Sequence, residues 1–341
     1  MKATQIISIK ALLLARLFLW ILILNHFGAC KKEQKANVSW EKIESGVQHP
    51  LRAIAAFANN DSVFVCGGTE GQEGVILLSQ DGGSTWKTIF SLDKNAFYGL
   101  YFKNSLEGFA LAEYSDIFST KDGGQTWNRM LRNDTVAFRY RLKLRDFYFR
   151  DAQTAFCVGG NNFGSGTILR SNDLGNSWST VATVEHELRS IYFISTEIGF
   201  ASGYGVLLKT SDAGQTWLPT DLSDDFFTSM CFLDNEKAFI SGYNGSLYKS
   251  SDSGNNWKQI IKGNSMITAK RRHFNDIEFY DSNYGMAVGE AGYVLLTDDG
   301  GASWKSSENE EKNGMHQLHF KNAKQGLIVA DAGTIYKFTI E

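Results

Sequence analysis

An octapeptide ending in tryptophan recurs six times in this 341-residue chain, and its spacing constrains the fold more than any other feature. The copies share the frame [Ser/Thr]-x-Asp-x-Gly-x-[Ser/Thr/Asn]-Trp and begin with SQDGGSTW at residues 79–86. The six Asp and Trp pairs are Asp81 and Trp86, Asp122 and Trp127, Asp173 and Trp178, Asp212 and Trp217, Asp252 and Trp257, and Asp299 and Trp304. The mean period between tryptophans, (304 − 86)/5, is about 44 residues, which is typical of stacked or radial repeat architectures.

Each position of the octapeptide has a structural purpose. The aspartate can accept hydrogen bonds from backbone N–H groups just downstream, which closes a turn without a partner strand. The glycine two residues later tolerates a positive φ, and the tryptophan begins the next strand with a large apolar side chain. Because six copies of a catalytic group exceed what most enzymes need, we interpret the octapeptide as a hairpin turn and its Asp and Trp as structural residues.

The segments between the octapeptides predict an all-β fold. Each contains three short runs, such as RSIYF, IGFASG and GVLLKT around residues 189–210, and the octapeptide leads into a fourth. Four short strands per repeat with period-2 alternation are typical of propeller blades. Three further strands after Trp304 raise the expected number, so we predict a seven-bladed β-propeller of four-stranded antiparallel blades over residues 38–341. The strand Val38–Ile43 would complete the last blade and close the ring, leaving neither terminal sheet incomplete.

The repeated octapeptide resembles the Asp-box (BNR) repeat. Together with the glycine-containing strand before it, the sequence is similar to the photosystem II stability/assembly factor-like propellers over residues 38–341. This resemblance implies a scaffold that holds a partner polypeptide through an arginine-rich patch. Sialidases and xyloglucanases carry the same box on different active sites, so the resemblance is specific for the fold rather than for an activity.

The first thirty residues have the pattern of a targeting segment. Lys2, Lys10 and Arg16 precede the apolar run LFLWILILNHF, and FGAC at residues 27–30 resembles the lipobox of bacterial lipoproteins. We therefore expect a signal peptide over 1–29, lipidation of Cys30, a tether over 30–37, and attachment to the bacterial cell envelope (outer membrane, periplasmic or surface face). The alternatives are a plain secretory signal or an uncleaved anchor over about residues 11–29, which would place Arg16 in hydrocarbon at a high cost.

Composition and motifs argue against several function classes. The net charge of −3 does not suit a general nucleic-acid binder, which needs a basic surplus. Cys66, Cys157 and Cys231 are odd in number and lie in strand-like runs, so no complete disulfide framework is expected. The sequence contains no CxxC pair, HExxH or CxxCH, and no GxGxxG at a strand–helix junction. We therefore expect neither a metal nor a cofactor.

Ligand sites in propellers usually surround the central channel, at the end where the chain enters each innermost strand. The repeat-equivalent residues there are Arg52, Tyr98, Arg145, Arg189, Thr228, Asn275 and His316. Three arginines and a histidine at one rim can bind carboxylate or phosphate groups, although solvated loop charges are the alternative interpretation.

Two longer basic segments, 132–150 and 262–274, precede innermost strands and are expected at the same end. Their candidate binding residues are Arg139, Arg141, Arg271 and Arg272. Arginines interleaved with aromatics are typical of protein-interaction hot spots. Acidic loops serve other repeats, so the face is divided rather than uniformly basic. The expected partner is an envelope or membrane protein, bound through acidic segments.

A carbohydrate-active enzyme is the competing hypothesis. Candidate groups in the loops between second and third strands are Glu113, Asp116, Tyr204, Tyr243, Glu290 and Asp331. Glycosidases need two carboxylates at a set separation, or a tyrosine nucleophile with three arginines for a sialic acid. Because no spacing marks a catalytic acid, we favour a non-catalytic, lipid-anchored binding or assembly scaffold over a lectin or sialidase-like hydrolase.

Overall fold

Twenty-six β-strands and three short 3₁₀ helices make up the part of the chain that the computed structural model describes. The described residues are 35–57, 61–130, 142–161, 164–263 and 273–341, with the backbone alone at 223 and 224. The unit Lys35–Glu341 contains all of these elements.

The strands are numbered in chain order. The first thirteen are β1 (Val38–Glu44), β2 (Leu51–Ala56), β3 (Val63–Gly68), β4 (Glu73–Ser79), β5 (Lys87–Asp93), β6 (Phe97–Phe102), β7 (Gly108–Ala112), β8 (Ile117–Thr120), β9 (Asn128–Arg129), β10 (Lys143–Phe149), β11 (Ala155–Gly160), β12 (Gly166–Ser171) and β13 (Ser179–Val184). The others are β14 (Leu188–Phe193), β15 (Gly199–Thr210), β16 (Leu218–Phe232), β17 (Ala238–Gly242), β18 (Leu247–Ser250), β19 (Lys258–Ile261), β20 (Phe274–Phe279), β21 (Gly285–Gly289), β22 (Tyr293–Thr297), β23 (Lys305–Glu308), β24 (Met315–Asn322), β25 (Gln325–Ala330) and β26 (Thr334–Ile340). The 3₁₀ helices span Glu113–Ser115, Glu290–Gly292 and Asp331–Gly333.

The sheets are antiparallel, as expected for a propeller, but their number differs from the prediction. In the described residues five sheets have four strands, and a sixth sheet has six strands in the order β14-β15-β16-β17-β18-β19. The prediction of seven four-stranded blades is therefore wrong, since the structure has five. The fourth and fifth sequence repeats share the six-stranded sheet because β16 stays extended between its two halves, pairing with β15 at Phe226 and with β17 at Phe227.

The N-terminal strand β1 pairs with β26 along its whole length, from Val38 opposite Ile340 to Glu44 opposite Thr334. It is the outer strand of the sheet β1-β26-β25-β24. Trp40 contacts the rings of Tyr336 and Phe338, at 6.1 and 6.5 Å between ring centres. The innermost strands contact one another in the closed order β2, β6, β10, β14, β16, β20, β24 and back to β2. The expected pairing of the two chain ends is thus present, and it closes the ring.

Each Asp-box is a self-contained hydrogen-bonded turn. In the first box, Asp81 Oδ1 accepts bonds from the backbone N–H of Ser84 and Thr85 at 2.9 and 2.8 Å, and Asp81 Oδ2 accepts from the Thr85 hydroxyl at 2.6 Å. The buried Ser79 hydroxyl accepts a bond from the N–H of Gly83 at 2.8 Å. The hydroxyl-to-aspartate and glycine-to-hydroxyl bonds recur in the other five boxes. The boxes are therefore turns, as predicted from their sequence.

The glycine two residues after each box aspartate approaches the neighbouring repeat closely. Gly214 has a φ of +79°, and a Cβ there would collide with Phe156, which belongs to a strand of the preceding repeat. Gly254 stands in the same relation to Phe200, and Gly301 to Phe239. Glycine is required both by the left-handed backbone and by this close approach. The end of the sheets that carries these turns is called the box face, and the opposite end, where the chain enters each innermost strand, is called the mouth face.

Candidate functional site

A β-bulge begins every innermost strand, and it is the feature that builds the site. Leu51 pairs with Gly67 and Ala53 pairs with Cys66, so Arg52 is an extra residue with no partner across the ladder. The same shift in register recurs in each repeat. The extra residues are Arg52, Tyr98, Arg145, Arg189, Thr228, Asn275 and His316. A bulge re-aims its side chain relative to the alternation of the strand. The repeat-equivalent rim positions of the sequence are thus the bulged residues.

These seven side chains line one central cavity of about 610 Å³. The residue after each bulge lines it as well: Ala53, Gly99, Asp146, Ser190, Ser229, Asp276 and Gln317. Two consecutive residues of each innermost strand therefore face the channel, an outcome that strict alternation would forbid. The structure brings all seven rim positions together.

Two of the rim arginines are held by one buried carboxylate. Glu187 has no solvent exposure, and its Oε1 accepts bonds from Arg145 Nε at 2.7 Å and Arg189 Nη1 at 3.0 Å. Burial, followed by the nearby charge of Arg189, lowers the pKa of Arg145 to about 10, so the guanidinium remains protonated at neutral pH. With two cations on one anion, this cluster carries an excess positive charge at the channel mouth.

The third arginine stacks on an aromatic ring. Arg52 Cζ lies 4.7 Å from the centre of the Tyr98 ring, and Arg145 Cζ lies 4.4 Å from the same centre. Arg52 Nη1 also donates to the carbonyl of Gly68, and it forms no ion pair with a described residue. Guanidinium groups stacked on a ring keep their outer N–H groups free to donate to a ligand. The Tyr98 hydroxyl donates to Glu113 at 3.3 Å.

The remaining rim residues carry less positive charge than the three arginines, and they make hydrogen bonds within the rim. His316 Nε2 lies 2.8 Å from Asp331 Oδ1, Asn275 donates to the carbonyl of Met315 at 2.8 Å, and the Thr228 hydroxyl contacts that of Ser241 at 3.0 Å. The positive side of the rim thus comes from repeats one, three and four.

Below the rim, polar side chains join neighbouring innermost strands. Asp146 Oδ2 accepts from Ile191 N–H at 2.8 Å, and Asp276 Oδ2 accepts from Leu318 N–H at 3.0 Å. Burial raises the pKa of Asp146 to about 6 and raises the pKa of Asp276 as well. Because both oxygens of each carboxylate already accept hydrogen bonds, these groups stabilise the ring rather than offer a free acid–base pair.

The comparisons with known proteins agree with this architecture. The family model described as photosynthesis system II assembly factor YCF48 matches residues 133–266 and 219–296. The structure of YCF48 bound to a D1 peptide superposes with a TM-score of 0.70 at 18% identity, covering 91% of this chain and 100% of that one. YCF48 from Cyanidioschyzon merolae gives a TM-score of 0.64 at 16% identity, covering 88% of this chain and 99% of that one.

Over residues 133–296 the chain matches the YCF48 family model, and its fold is an Asp-box propeller similar to that of YCF48. Its fold is also similar to a glycoside hydrolase, the GH74 enzyme of Niastella koreensis, with a TM-score of 0.63 at 13% identity. That match covers 89% of this chain and 53% of the enzyme, and identities this low carry the fold alone. No curated protein sequence matches the chain.

Several of the predicted binding residues are not part of the described site. Arg139, Arg141, Arg271, Arg272 and Cys30, with the whole of 1–34, lie outside the described residues. Arg150, at the end of the first basic segment, is described but lies on the box face, where it donates to the carbonyl of Ala213 at 2.6 Å. In the described ranges no helix is long and apolar enough to cross a bilayer.

Sequence reasoning missed the buried acid that holds two of the rim arginines. Glu187 lies two residues before Arg189 and was not selected. Its proximity to Arg145, forty-two residues away, arises only from the packing of neighbouring repeats. Lys143 was expected at this end as part of the basic segment 132–150, but not as a candidate binding residue; its Nζ lies 2.7 Å from Glu70 and 5.8 Å from the Tyr98 ring centre.

Three of the four carboxylates proposed for a hydrolase are engaged in hydrogen bonds or an ion pair, and the fourth, Glu290, lines the central cavity. Glu113 accepts from the N–H groups of Gly71 and Ala96 and from Tyr98, while Asp116 accepts from Arg129 at 2.6 Å. Asp331 pairs with His316. The described residues contain no group of three or more His, Cys, Asp or Glu side chains arranged to hold a metal.

Proposed function

We propose that this protein is a non-catalytic scaffold that binds a segment of another protein at its channel mouth. The observation that carries the proposal is the set of bulged residues that converge on one cavity, with Arg52, Arg145 and Arg189 at its rim. The YCF48 structure with a bound D1 peptide supports it, because a propeller of similar fold takes a polypeptide ligand.

The charge of the rim indicates the chemistry of the ligand. Two arginines share one carboxylate and the third has no ion pair with a described residue, so the rim retains positive charge. Guanidinium groups bind carboxylates through paired hydrogen bonds. We infer that an acidic segment or a free C-terminal carboxylate of an envelope or membrane protein binds here. Lipidation of Cys30 would hold the propeller at the bacterial cell envelope beside such a partner.

Peptide binding measured by fluorescence anisotropy tests the proposal. Acidic peptides with a free C-terminus should bind the wild-type protein, and Arg52→Gln should weaken binding by about ten-fold, as expected for the loss of one charge-assisted hydrogen bond. Arg52 is preferred for this test because its replacement leaves Glu187 paired. The control is Lys121→Glu on the box face, which is exposed and should leave affinity unchanged. Equal binding by wild type and Arg52→Gln would remove the rim from the proposed site.

The competing function is a lectin or a sialidase-like glycoside hydrolase, and the similarity of fold to the GH74 enzyme is compatible with it. A glycan array and a fluorogenic sialoside assay separate the two. A protein-binding scaffold gives no signal in either assay. Glycan binding that Arg52→Gln weakens would show that the rim binds a carbohydrate instead.

A further inference from the structure

The large hydrophobic side chains that stand exposed in the described residues all lie on the box face. They are Leu106, Leu174, Leu218 and Tyr280, with exposed fractions of 56%, 48%, 67% and 47%. Leu106 and Tyr280 lie in turns after innermost strands, Leu174 lies inside the third box, and Leu218 follows the tryptophan of the fourth. Single exposed apolar residues are normal on a protein surface, and here all four share one face.

Hydrogen bonds show which residues are equivalent to Leu106. In each of six repeats a box N–H donates to the carbonyl of one residue in the turn after the innermost strand. The accepting residues are Asp61, Leu106, Gln153, Glu197, Glu236 and Asn283, at 2.9 to 3.0 Å. Five of the six have polar side chains, so Leu106 is the exception in a position that the fold fills with polar residues.

The other two leucines are exceptions of the same kind. Leu174 has a φ of +62° at a box position that the other repeats fill with small residues, all at positive φ: Gly82, Gly123, Ala213, Ser253 and Gly300. A left-handed backbone costs a leucine free energy that it does not cost a glycine. Leu218 stands where the equivalent residues after the box tryptophan are Lys87, Asn128, Ser179, Lys258 and Lys305.

Leu106, Leu174 and Leu218 belong to repeats two, three and four, and together they are called the apolar arc. The aspartates of the three boxes in these repeats accept hydrogen bonds from their own turns. The leucines of the apolar arc therefore stand on or beside hydrogen-bonded turns whose aspartates are already engaged.

The chain reaches the described fold on this same face. Lys35 pairs with Ser306, and Ala36 N–H donates to the Ser306 carbonyl at 2.9 Å, two residues after the sixth box tryptophan. Lys35 is five residues after Cys30, and five residues span at most about 18 Å when fully extended. A lipid on Cys30 would therefore keep the box face, not the mouth face, within reach of the bilayer.

We infer that the box face is a membrane-docking surface, in which the apolar arc enters the interfacial region of a lipid bilayer and the channel mouth points into the aqueous phase. The inference rests on the proposed lipidation of Cys30. One acyl-bearing group leaves a tethered domain free to rotate, and side chains such as leucine that insert at the interface add a second attachment that fixes its orientation. The arrangement would leave the rim accessible to a protein partner.

Fluorescence quenching on vesicles tests the orientation. The full chain, purified from bacterial membranes, is reconstituted into phosphatidylcholine–phosphatidylglycerol vesicles that contain chain-spin-labelled lipid. An environment-sensitive fluorophore is placed at Leu218→Cys or at Gln72→Cys, an exposed position in a mouth-face turn, with Cys231→Ser throughout. We expect several-fold stronger quenching at position 218 than at 72. Equal quenching, or stronger quenching at 72, would overturn the inference while leaving the lipid anchor and peptide binding intact.

The repeats themselves provide a matched variant. Leu106→Gln, Leu174→Gly and Leu218→Lys together carry the residues that equivalent positions already hold, so the fold should persist, as a melting curve would verify. With the fluorophore at Tyr280→Cys, these changes should reduce quenching several-fold while the protein still floats with vesicles. Unchanged quenching, assembly of the wild type into a dimer that the triple variant abolishes, or failure to float would each overturn lipid docking. Failure to float would count against the anchor, but not against peptide binding at the rim.

Discussion

The Asp-box turns and the central channel both contain aspartates that accept backbone hydrogen bonds, yet the pKa values of the two sets are shifted in opposite directions. Hydrogen bonds within the turn lower the pKa of Asp212 to about 2, since little protein surrounds the carboxylate. Burial raises the pKa of Asp146 to about 6, although it too accepts two N–H bonds. Desolvation therefore has a larger effect on the pKa than hydrogen bonding once the carboxylate is inside the ring.

The two regions also use repetition differently. The boxes repeat their residues and therefore their structure, whereas the channel mouth repeats a backbone feature, the bulge, and varies the side chain on it. The box face, where the side chains repeat, is structural. At the mouth face the backbone bulge is constant and the side chain on it varies, so that face can recognise a ligand.

Removal of residues 36–45 should have the largest effect, because it destroys the ring on which the difference between the two regions depends. Seven residue pairs with β26 and the Trp40 contacts would be lost. The total stability of a domain is about 5–15 kcal/mol, so we expect no cooperative unfolding transition in urea. A chain beginning at Lys35 is the control. A normal transition after the deletion would show that the ring does not need β1.

The Glu187→Gln substitution should be the most damaging single change at the mouth. It removes the buried charge that holds Arg145 and Arg189, and breaking such a cluster costs about 3 to 5 kcal/mol. Arg52→Gln, which breaks no ion pair among the described residues, should cost less than about 1 kcal/mol. Urea denaturation measures both, and equal losses would mean that Glu187 does not organise the rim.

The Thr210→Val substitution tests the box end. The buried Thr210 hydroxyl accepts from Gly214 N–H and donates to Asp212, so valine leaves a buried N–H without an acceptor. We expect a loss of about 1 to 3 kcal/mol in the free energy of unfolding. Thr216→Val in the same turn, where the hydroxyl is exposed, should cost less. The reverse order would contradict the assigned role of the first box residue.

The smallest effect expected is a change in pH dependence. The folded pKa of Asp146 is raised from 3.8 to about 6, so its ionisation lowers stability progressively as pH rises from about 4 to 6. The folded pKa of Asp212 is lowered from 3.8 to about 2, so its contribution is present above about pH 4 and is lost as pH falls towards 2. Asp146→Asn should therefore flatten the slope between pH 4 and 6, and Asp212→Asn should alter only the acid limb. Melting temperatures across pH 2 to 7 provide the measurement. If both variants had the same pH profile, the two aspartates would not differ in their effect on stability.

Much of the local structure was predictable because its causes are local. The box turn depends on an aspartate, a glycine and a hydroxyl within eight residues, and the strands follow the alternation between boxes. Pairing of Val38–Glu44 with the last strand was predictable as well, because the final repeat lacks its own fourth strand. The number of four-stranded blades was not, since whether β16 stays extended between repeats four and five depends on backbone pairing that no short motif marks.

The sequence by itself determined the repeat, the turn in each repeat and the positions that face the channel mouth, because each depends on residues close together in the chain. Only the tertiary structure decided that these positions are bulges, that Glu187 lies between Arg145 and Arg189, and that the channel aspartates are desolvated. Bulges, ion pairs and burial between repeats join residues about forty positions apart, so they arise from how one repeat packs on the next.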